Sequence, residues 1–175
     1  MYQTSPLKSD SPDTLCLHLP TLAATQAFAL ALAGWLQAGD TVALHGGMGS
    51  GKTTLVAALV QALGLPHVAG SPTYTLVHEY DPKGESLAVW HSDWYRLEAS
   101  GAQALWQEAL TWLDETTGIA VVEWPERAEL PPDVWTLHLT LAPLPELGDE
   151  ARVVTLRQPL STFRGWGGLS DDSCP

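Results

Sequence analysis

Short runs of alternating side chains and longer runs with helical spacing follow one another along the chain. Residues 15–19 alternate between leucine and a more polar residue, as the positions of a half-buried strand do. Thr21 then stands where it can cap a helix running to about Gln37, and Gly39 is placed to end that helix. The pattern predicts a strand followed by an amphipathic helix at the start of the domain.

A glycine-rich segment separates the next predicted strand from the next predicted helix. Residues 41–46 are apolar or β-branched for most of their length, which predicts a buried strand. They lead directly into the segment 46–54, and the apolar spacing of residues 55–64 is typical of a helix. Strand, glycine loop and helix therefore follow in that order.

The rest of the chain predicts two hairpins, one helix and one buried strand. Alternating runs joined by turn residues indicate each hairpin, and an uninterrupted apolar run indicates the buried strand. The segments are 73–80 with 86–93 for the first hairpin, 102–114 for the helix, 118–124 for the strand, and 134–141 with 150–157 for the second hairpin.

Strands interleaved with helices around one glycine loop predict the fold class. We expect an α/β protein with the three-layer P-loop NTPase fold, in which a mostly parallel sheet is extended by antiparallel hairpins. A chain of 175 residues suits one such domain. We assign residues 14–157 to it, with a flexible arm at residues 1–13 and a flexible tail at residues 158–175, where no periodicity is found.

Composition and net charge limit the kinds of partner molecule that the chain is expected to bind. Apolar residues make up 45% of the chain and charged ones 16%, as in packed globular proteins. Eight Lys and Arg residues against 20 Asp and Glu give a net charge of −12, which disfavours direct binding of DNA or RNA. The chain has no run near the ~20 apolar residues of a membrane helix and no signal-peptide pattern, so we expect a cytoplasmic protein without a membrane partner. Cys16 and Cys174 lack the spacing of a metal or redox site.

The glycine-rich segment carries the strongest chemical signal. It matches the phosphate-binding pattern G-x-x-x-x-G-K-[ST], in which loop amides and a helix N-terminus surround the phosphates of a nucleotide. Lys52 can reach the β- and γ-phosphates, and the Thr53 hydroxyl can coordinate Mg²⁺. Thr54 either contacts the α-phosphate or only begins the helix. The predicted ATP-binding residues here are Gly47, Met48, Gly49, Ser50, Gly51, Lys52, Thr53 and Thr54.

A metal-dependent ATPase also needs an acidic residue at a strand end. Asp93 ends the apolar run 87–93, and Glu123 ends the run 119–123. On pattern alone, a functional role is favoured over capping of a following helix for Asp93, whereas Glu123 could as readily be a surface acid before the turn at Pro125.

Four other residues are weaker candidates. Thr73 and Thr75 lie where a segment that senses the γ-phosphate often follows the P-loop helix, although alternating threonines are also ordinary in strands. His91 shares a strand face with Asp93 but is more often a structural residue at such a position. Trp124 is the tryptophan best placed to border a nucleotide.

Four separated segments together resemble one protein family. The chain is similar, from about Leu15 to Arg157, to the TsaE family, the ATPase required for threonylcarbamoyl modification of adenosine 37 in tRNAs that read codons starting with A. Ser92 and Trp94 depart from the family's HFDLYRL-type text. The segments that carry the resemblance are GGMGSGKTT (46–54), SPTYTLVHEY (71–80), HSDWYRL (91–97) and VVEWPER (121–127).

The resemblance implies a role for each matching residue. Lys52, Thr53 and Thr54 would bind ATP and Mg²⁺. Asp93 would be the metal-associated acid, with Glu123 and Trp124 completing the catalytic site and residues 73–75 acting as the switch. The family further implies TsaB and TsaD as partner subunits, through which tRNA is reached indirectly, with ATP hydrolysis resetting the complex.

Other functions of a P-loop domain fit less well. A GTPase would need a guanine-reading motif with asparagine, and the chain contains no Asn. A small-metabolite kinase usually clamps its second substrate with several arginines, and the five arginines here are scattered along the sequence. A nucleotide-binding regulator without hydrolysis stays open, because a fold does not by itself fix a function.

Overall fold

A computed structural model of the chain describes residues 13–66, 76–82, 84–131, 134–167 and 169. Thr73 and Thr75, the predicted switch residues, lie outside these ranges, as do most of the predicted N-terminal arm and the last residues of the predicted tail. The remaining expectations can be compared with the structure element by element.

The described ranges contain seven strands and three α-helices. The strands are β1 (Thr14–Leu19), β2 (Thr41–His45), β3 (Val77–Tyr80), β4 (Ala88–Asp93), β5 (Gly118–Glu123), β6 (Thr136–Pro143) and β7 (Arg152–Arg157). The helices are α1 (Leu22–Trp35), α2 (Lys52–Ala62) and α3 (Ala99–Glu115).

All seven strands form one sheet, in the order β1-β7-β6-β2-β5-β4-β3. The central strands β6, β2, β5 and β4 run parallel, and β1, β7 and β3 pair antiparallel at the two edges. The parallel strands therefore all end at the same edge of the sheet, which is where α/β proteins bind ligands. The predicted parallel sheet extended by antiparallel hairpins is confirmed.

Helices cover the sheet on both faces. On one face α1 and α2 pack against each other over a core that includes Phe28, Leu55 and Leu139. On the other face α3 packs over a second cluster built on Trp90, Trp94 and Trp106. Strands β2 and β5 lie between the two layers, which explains why their sequences are apolar at nearly every position.

Local sequence signals account for the boundaries of α1. The Thr21 hydroxyl accepts a hydrogen bond from the Ala24 amide, as expected of a helix cap. The helix ends at Trp35, two residues before the predicted end, because Leu36 already has extended backbone angles. Gly39, with φ of +87°, lies in the turn that follows rather than at the helix end.

The segment after β7 differs from the expected flexible tail. Gln158 is buried, Leu169 is buried, and the Trp166 ring stacks on Trp35 with 6.0 Å between centroids. Arg164 makes two hydrogen bonds to the buried Asp40, of 2.7 and 2.8 Å. The sequence of this segment lacks periodicity because, apart from one 3₁₀ turn at Leu160–Thr162, it packs through single anchoring side chains.

No helix in the described part of the chain is both long and apolar enough to cross a membrane.

We predict that Arg164→Ala lowers the free energy of unfolding by about 2–3 kcal/mol, since it leaves the Asp40 carboxylate buried without its cation. Urea denaturation of both proteins measures the change. Arg157→Ala is the control, because the Arg157 side chain is 72% exposed and its Nε lies 3.7 Å from the carboxylate of the buried Asp13, too far for a hydrogen bond. Because solvent screens an exposed cation, this ion pair contributes about 1 kcal/mol or less. Equal losses in the two variants would contradict an anchoring role for Arg164.

Candidate functional site

The candidate site lies at the edge where the parallel strands end. The glycine loop, residues 46–51, connects the end of β2 to the start of α2. Its neighbours are Glu123, the last residue of β5, and Asp93, the last residue of β4, which lie opposite each other in the register of these strands. The topology thus brings together residues that lie as much as 77 positions apart, from Gly46 to Glu123.

The loop takes a path that only glycine permits at two of its corners. Gly46 has φ of +133°, and a Cβ there would collide with the Leu141 carbonyl oxygen of β6. Gly51 has φ of +105° and immediately precedes the first residue of α2. Both are left-handed backbone conformations that L side chains rarely adopt. The resulting loop wraps over the N-terminus of α2, where the helix dipole favours an anion.

Lys52 is buried beneath this loop. Its Nζ donates hydrogen bonds to the Gly46 and Gly47 carbonyl oxygens, at 2.7 and 2.9 Å, and lies 4.3 Å from the centroid of the Trp124 ring. Burial lowers the pKa of Lys52, and the carboxylates around it, that of Glu123 foremost, act in the opposite direction. The ammonium group is therefore held at the phosphate end of the loop by carbonyls and an aromatic face.

Thr53, Glu123 and His91 form a hydrogen-bonded chain next to Lys52. The Thr53 hydroxyl lies 3.1 and 3.2 Å from the two Glu123 carboxylate oxygens. His91 Nε2 lies 3.0 Å from Glu123 Oε1, and both side chains are almost completely buried. Because Glu123 is 2% exposed, it is not the surface acid that its position before Pro125 allowed.

Asp93 also faces inward and is 7% exposed. Its Oδ1 accepts a hydrogen bond of 3.0 Å from the Tyr95 amide, which makes it a cap for the turn after β4; helix α3 begins only at Ala99. The hydroxyl of Thr53 is bonded to Glu123, so the geometry links Glu123 more directly to the predicted metal ligand than the sequence had suggested.

Trp124 is held in an unusual backbone conformation beside Lys52. It has φ of +61°, one of two positive values among the described residues other than glycine. Its amide donates to the Leu44 carbonyl at 3.2 Å, and its ring lies 4.9 Å from that of Tyr95. A tryptophan kept in the left-handed region is strained, which is common at functional sites.

The structure also brings a residue to the loop that sequence reasoning missed. Arg152, the first residue of β7, donates from Nε to the Ser50 carbonyl at 2.9 Å and from Nη2 to the Gly49 carbonyl at 3.4 Å. Thr54 and Gly51 line a cavity of about 250 Å³ together with Arg152. No local motif marks Arg152, because its partners lie about 100 residues away in the chain; only the pairing of β7 with β6 indicates its position.

The other predicted loop residues differ in exposure. Met48 is 75% exposed, so its side chain contributes little to the interior of the loop. Ser50 is 2% exposed, and its Oγ has no hydrogen-bond partner in the described structure. Gly47 and Gly49 contribute only backbone groups, which is what a phosphate-binding loop uses.

The oxygen donors at this edge suit Mg²⁺. Within the described ranges no group of three or more His, Cys, Asp or Glu side chains is arranged to hold a metal ion by itself. Mg²⁺ is usually held by one or two carboxylates or hydroxyls, with phosphate oxygens and waters supplying the rest. Thr53, Glu123 and Asp93 provide that kind of partial set.

Comparison with known proteins gives a consistent result. The family model described as "Threonylcarbamoyl adenosine biosynthesis protein TsaE" matches residues 19–145. A relative from Synechocystis, named tRNA threonylcarbamoyladenosine biosynthesis protein TsaE, is 40% identical over 62% of this chain and 69% of its own length. Proteins of the same name from Bacillus subtilis and Streptomyces coelicolor are 30% and 35% identical, over 75% and 71% of this chain and 77% and 84% of their own lengths.

A solved structure agrees with the fold. The crystal structure of Bacillus subtilis YdiB superposes with a TM-score of 0.60 at 25% sequence identity, over 86% of this chain and 88% of that one.

We predict that Lys52→Ala weakens ATP binding at least roughly 30-fold while the fold persists, since each charge-assisted hydrogen bond to a phosphate contributes about 1.5–3 kcal/mol. Titration calorimetry with ATP and Mg²⁺ measures the affinity, and circular dichroism checks the fold. Arg157→Ala, which removes an exposed cation away from the loop, should bind ATP normally. Unchanged affinity in Lys52→Ala would remove the lysine from the site.

Proposed function

The chain belongs to the TsaE family of threonylcarbamoyl adenosine biosynthesis proteins, and we propose that it is the ATP-binding and ATP-hydrolysing subunit of that pathway. It acts with TsaB and TsaD in the threonylcarbamoyl modification of adenosine 37 in tRNAs that read codons starting with A. ATP hydrolysis resets the modifying complex between rounds and does not itself form the modification. We further propose that the protein acts in the cytoplasm, where tRNA is modified.

One observation supports the ATPase proposal more than any other. The hydroxyl that follows the P-loop lysine, that of Thr53, is hydrogen-bonded to a buried carboxylate, that of Glu123, on the strand beside β2. A hydroxyl and an acid in contact at the phosphate end of a glycine loop are the usual protein part of a nucleotide–Mg²⁺ site. A loop that bound only an inorganic anion would not need a buried acid there.

The ATP phosphates would lie against the loop amides and the N-terminus of α2. Lys52 would turn from the Gly46 and Gly47 carbonyls to the β- and γ-phosphates, over a distance that its flexible stem allows. Trp124 presents its aromatic face to the Lys52 ammonium group, whose Nζ lies 4.3 Å from the ring centroid. Thr54 remains our candidate for the α-phosphate.

Mg²⁺ would be held by Thr53 with Glu123, and Asp93 would act on the waters around it. This differs from the assignment made on sequence, in which Asp93 was the metal acid and Glu123 the catalytic group. When bound, the ion supplies positive charge to the phosphates during transfer. His91 keeps the Glu123 carboxylate in one orientation by a buried hydrogen bond, as outer-shell partners of metal ligands do.

Partner dependence is supported by the arginines. Arg127 bonds to the Tyr95 carbonyl, Arg152 to loop carbonyls and Arg164 to Asp40, and Arg157 faces Asp13. An arginine that stabilises a transferring phosphoryl group must reach that group. These four are already directed at protein atoms, and the fifth, Arg96, also has an interaction of its own. The missing charge would come from a partner subunit. The net charge of −12 likewise supports contact with tRNA only through the complex.

The small-metabolite kinase remains the second enzyme candidate, and no feature of the site favours it over the ATPase. A regulator that binds ATP without hydrolysis would retain nucleotide binding and lack ATP turnover. An assay of ATP turnover with and without the partner subunits therefore distinguishes the ATPase, the kinase and the regulator.

We predict that Glu123→Gln raises the Mg²⁺ concentration needed for half-maximal ATP turnover by about tenfold or more, the effect typical of losing a charge at a metal shell. Asp93→Asn should shift that concentration less and lower turnover instead. Phosphate release at increasing Mg²⁺ gives both values. The reverse ranking would restore Asp93 as the metal acid and reject the role given to the Thr53–Glu123 contact.

We also predict slow ATP hydrolysis by the chain alone and acceleration by TsaB and TsaD, since a charge supplied in trans is worth about 10³-fold or more in related P-loop systems. Steady-state phosphate release is measured for the chain alone, with tRNA alone, and with both subunits at physiological salt. tRNA alone should not stimulate turnover. Fast turnover by the isolated chain would return the independent kinase or ATPase to consideration.

A further inference from the structure

Arg152 contacts the glycine loop through the carbonyl oxygens of Gly49 and Ser50. We propose that Arg152 is a positioning residue that fixes the direction of the loop amides, an inference that rests on the proposed nucleotide-binding role of the loop. It does so without touching the nucleotide itself. The side chain comes from the first residue of β7, in a segment that no nucleotide-binding motif includes.

The contacts of the guanidinium group are all to backbone carbonyls. Nε donates to the Ser50 carbonyl at 2.9 Å, and Nη2 makes a longer bond of 3.4 Å to the Gly49 carbonyl. Nη1 donates to the Asp149 and Ala151 carbonyls, at 2.7 and 2.8 Å. One side chain thus ties two consecutive peptide groups of the loop to the connection between β6 and β7.

Planar peptide geometry converts these bonds into a constraint on the loop amides. In a trans peptide the carbonyl and the N–H point in opposite directions. Holding the Ser50 carbonyl towards Arg152 therefore directs the Gly51 N–H away from Arg152, into the concave side of the loop. That N–H is one of the donors that a phosphate-binding loop presents to its anion.

The loop would otherwise be free to turn these peptides. Gly49 and Gly51 both have positive φ, of +73° and +105°, and glycine samples other conformations at little cost. The Ser50 amide is itself bonded to the Gly47 carbonyl only at 3.3 Å. The Arg152 contacts remove alternative loop conformations before the nucleotide binds. Less of the binding free energy is then lost to ordering the loop.

The chemistry of the contact requires arginine. The planar guanidinium presents five N–H donors in a fixed fork, and here it serves four carbonyls at once. A lysine at this position would keep the charge but could not reach both sides of the contact.

The test compares Arg152→Ala and Arg152→Lys with the native chain and with Arg157→Ala, which removes an exposed arginine from the same strand. Titration calorimetry gives the affinities for ATP and for ADP. Hydrogen exchange of the Ser50 and Gly51 amides is measured without nucleotide, and urea denaturation gives global stability. Millimolar guanidinium is added to Arg152→Ala as a rescue.

We expect Arg152→Ala to bind both nucleotides about tenfold more weakly, as when a group that orients a binding residue is lost. Arg152→Lys should resemble Arg152→Ala, and guanidinium should restore part of the affinity in Arg152→Ala only. Exchange of the Gly51 amide should be faster in both variants, and Arg157→Ala should behave as the native chain does.

Native affinity in Arg152→Ala, native affinity in Arg152→Lys, or a loss of affinity fully accounted for by lower global stability would overturn the inference. The amide exchange separates this outcome from a failure of the proposed function. If the native chain bound no ATP, the nucleotide-binding role would fail, and unaltered exchange at Ser50 and Gly51 in Arg152→Ala would independently reject the positioning role.

Discussion

The buried carboxylate of Glu123 is the constraint on which the site depends. A charge that is 2% exposed is costly unless its surroundings pair it. Three residues from two elements supply partners: the Thr53 hydroxyl and the nearby Lys52 ammonium from α2, and the His91 ring from β4. The same charge is felt at Tyr80, whose pKa is raised by burial first and by Glu123 second. The strands and the glycine loop must hold their relative positions for this arrangement to exist.

Most of the fold could be predicted because its signals are local. The cap at Thr21, the two hairpins and the buried run of β5 each follow from neighbouring residues, and the structure confirms them. The features that local signals do not reveal depend on contacts between residues far apart in the sequence. The sequence predicts a tail at residues 158–175, because the anchoring of its described part by Arg164 and Leu169 leaves no periodic pattern.

The candidate site likewise contains some residues that local sequence signals reveal and others that only the fold reveals. The P-loop residues follow from a contiguous motif, and the acids from their position at strand ends. Which acid contacts Thr53 depends on how β5 and β4 are ordered beside β2, and no sequence pattern gives that order. The role of Arg152 depends on the register of β7, in which Arg152 lies opposite Pro143 of β6. The two departures from the family's text, Ser92 and Trp94, are explained by their contact. The Ser92 hydroxyl accepts a hydrogen bond of 2.9 Å from the Trp94 indole, so the two residues accommodate each other.

The pairing of β1 with β7 affects how the domain folds during translation. Thr14 lies opposite Arg157, and Arg164 reaches back 124 residues to Asp40. During synthesis on a ribosome, β1 therefore has no neighbouring strand, and the Asp40 carboxylate no cation, until residues 152–164 have emerged. The glycine loop likewise precedes Arg152 by about 100 residues. Contacts of such long sequence separation slow folding, so the domain remains incomplete, with its sheet edge open to other chains, through most of its translation.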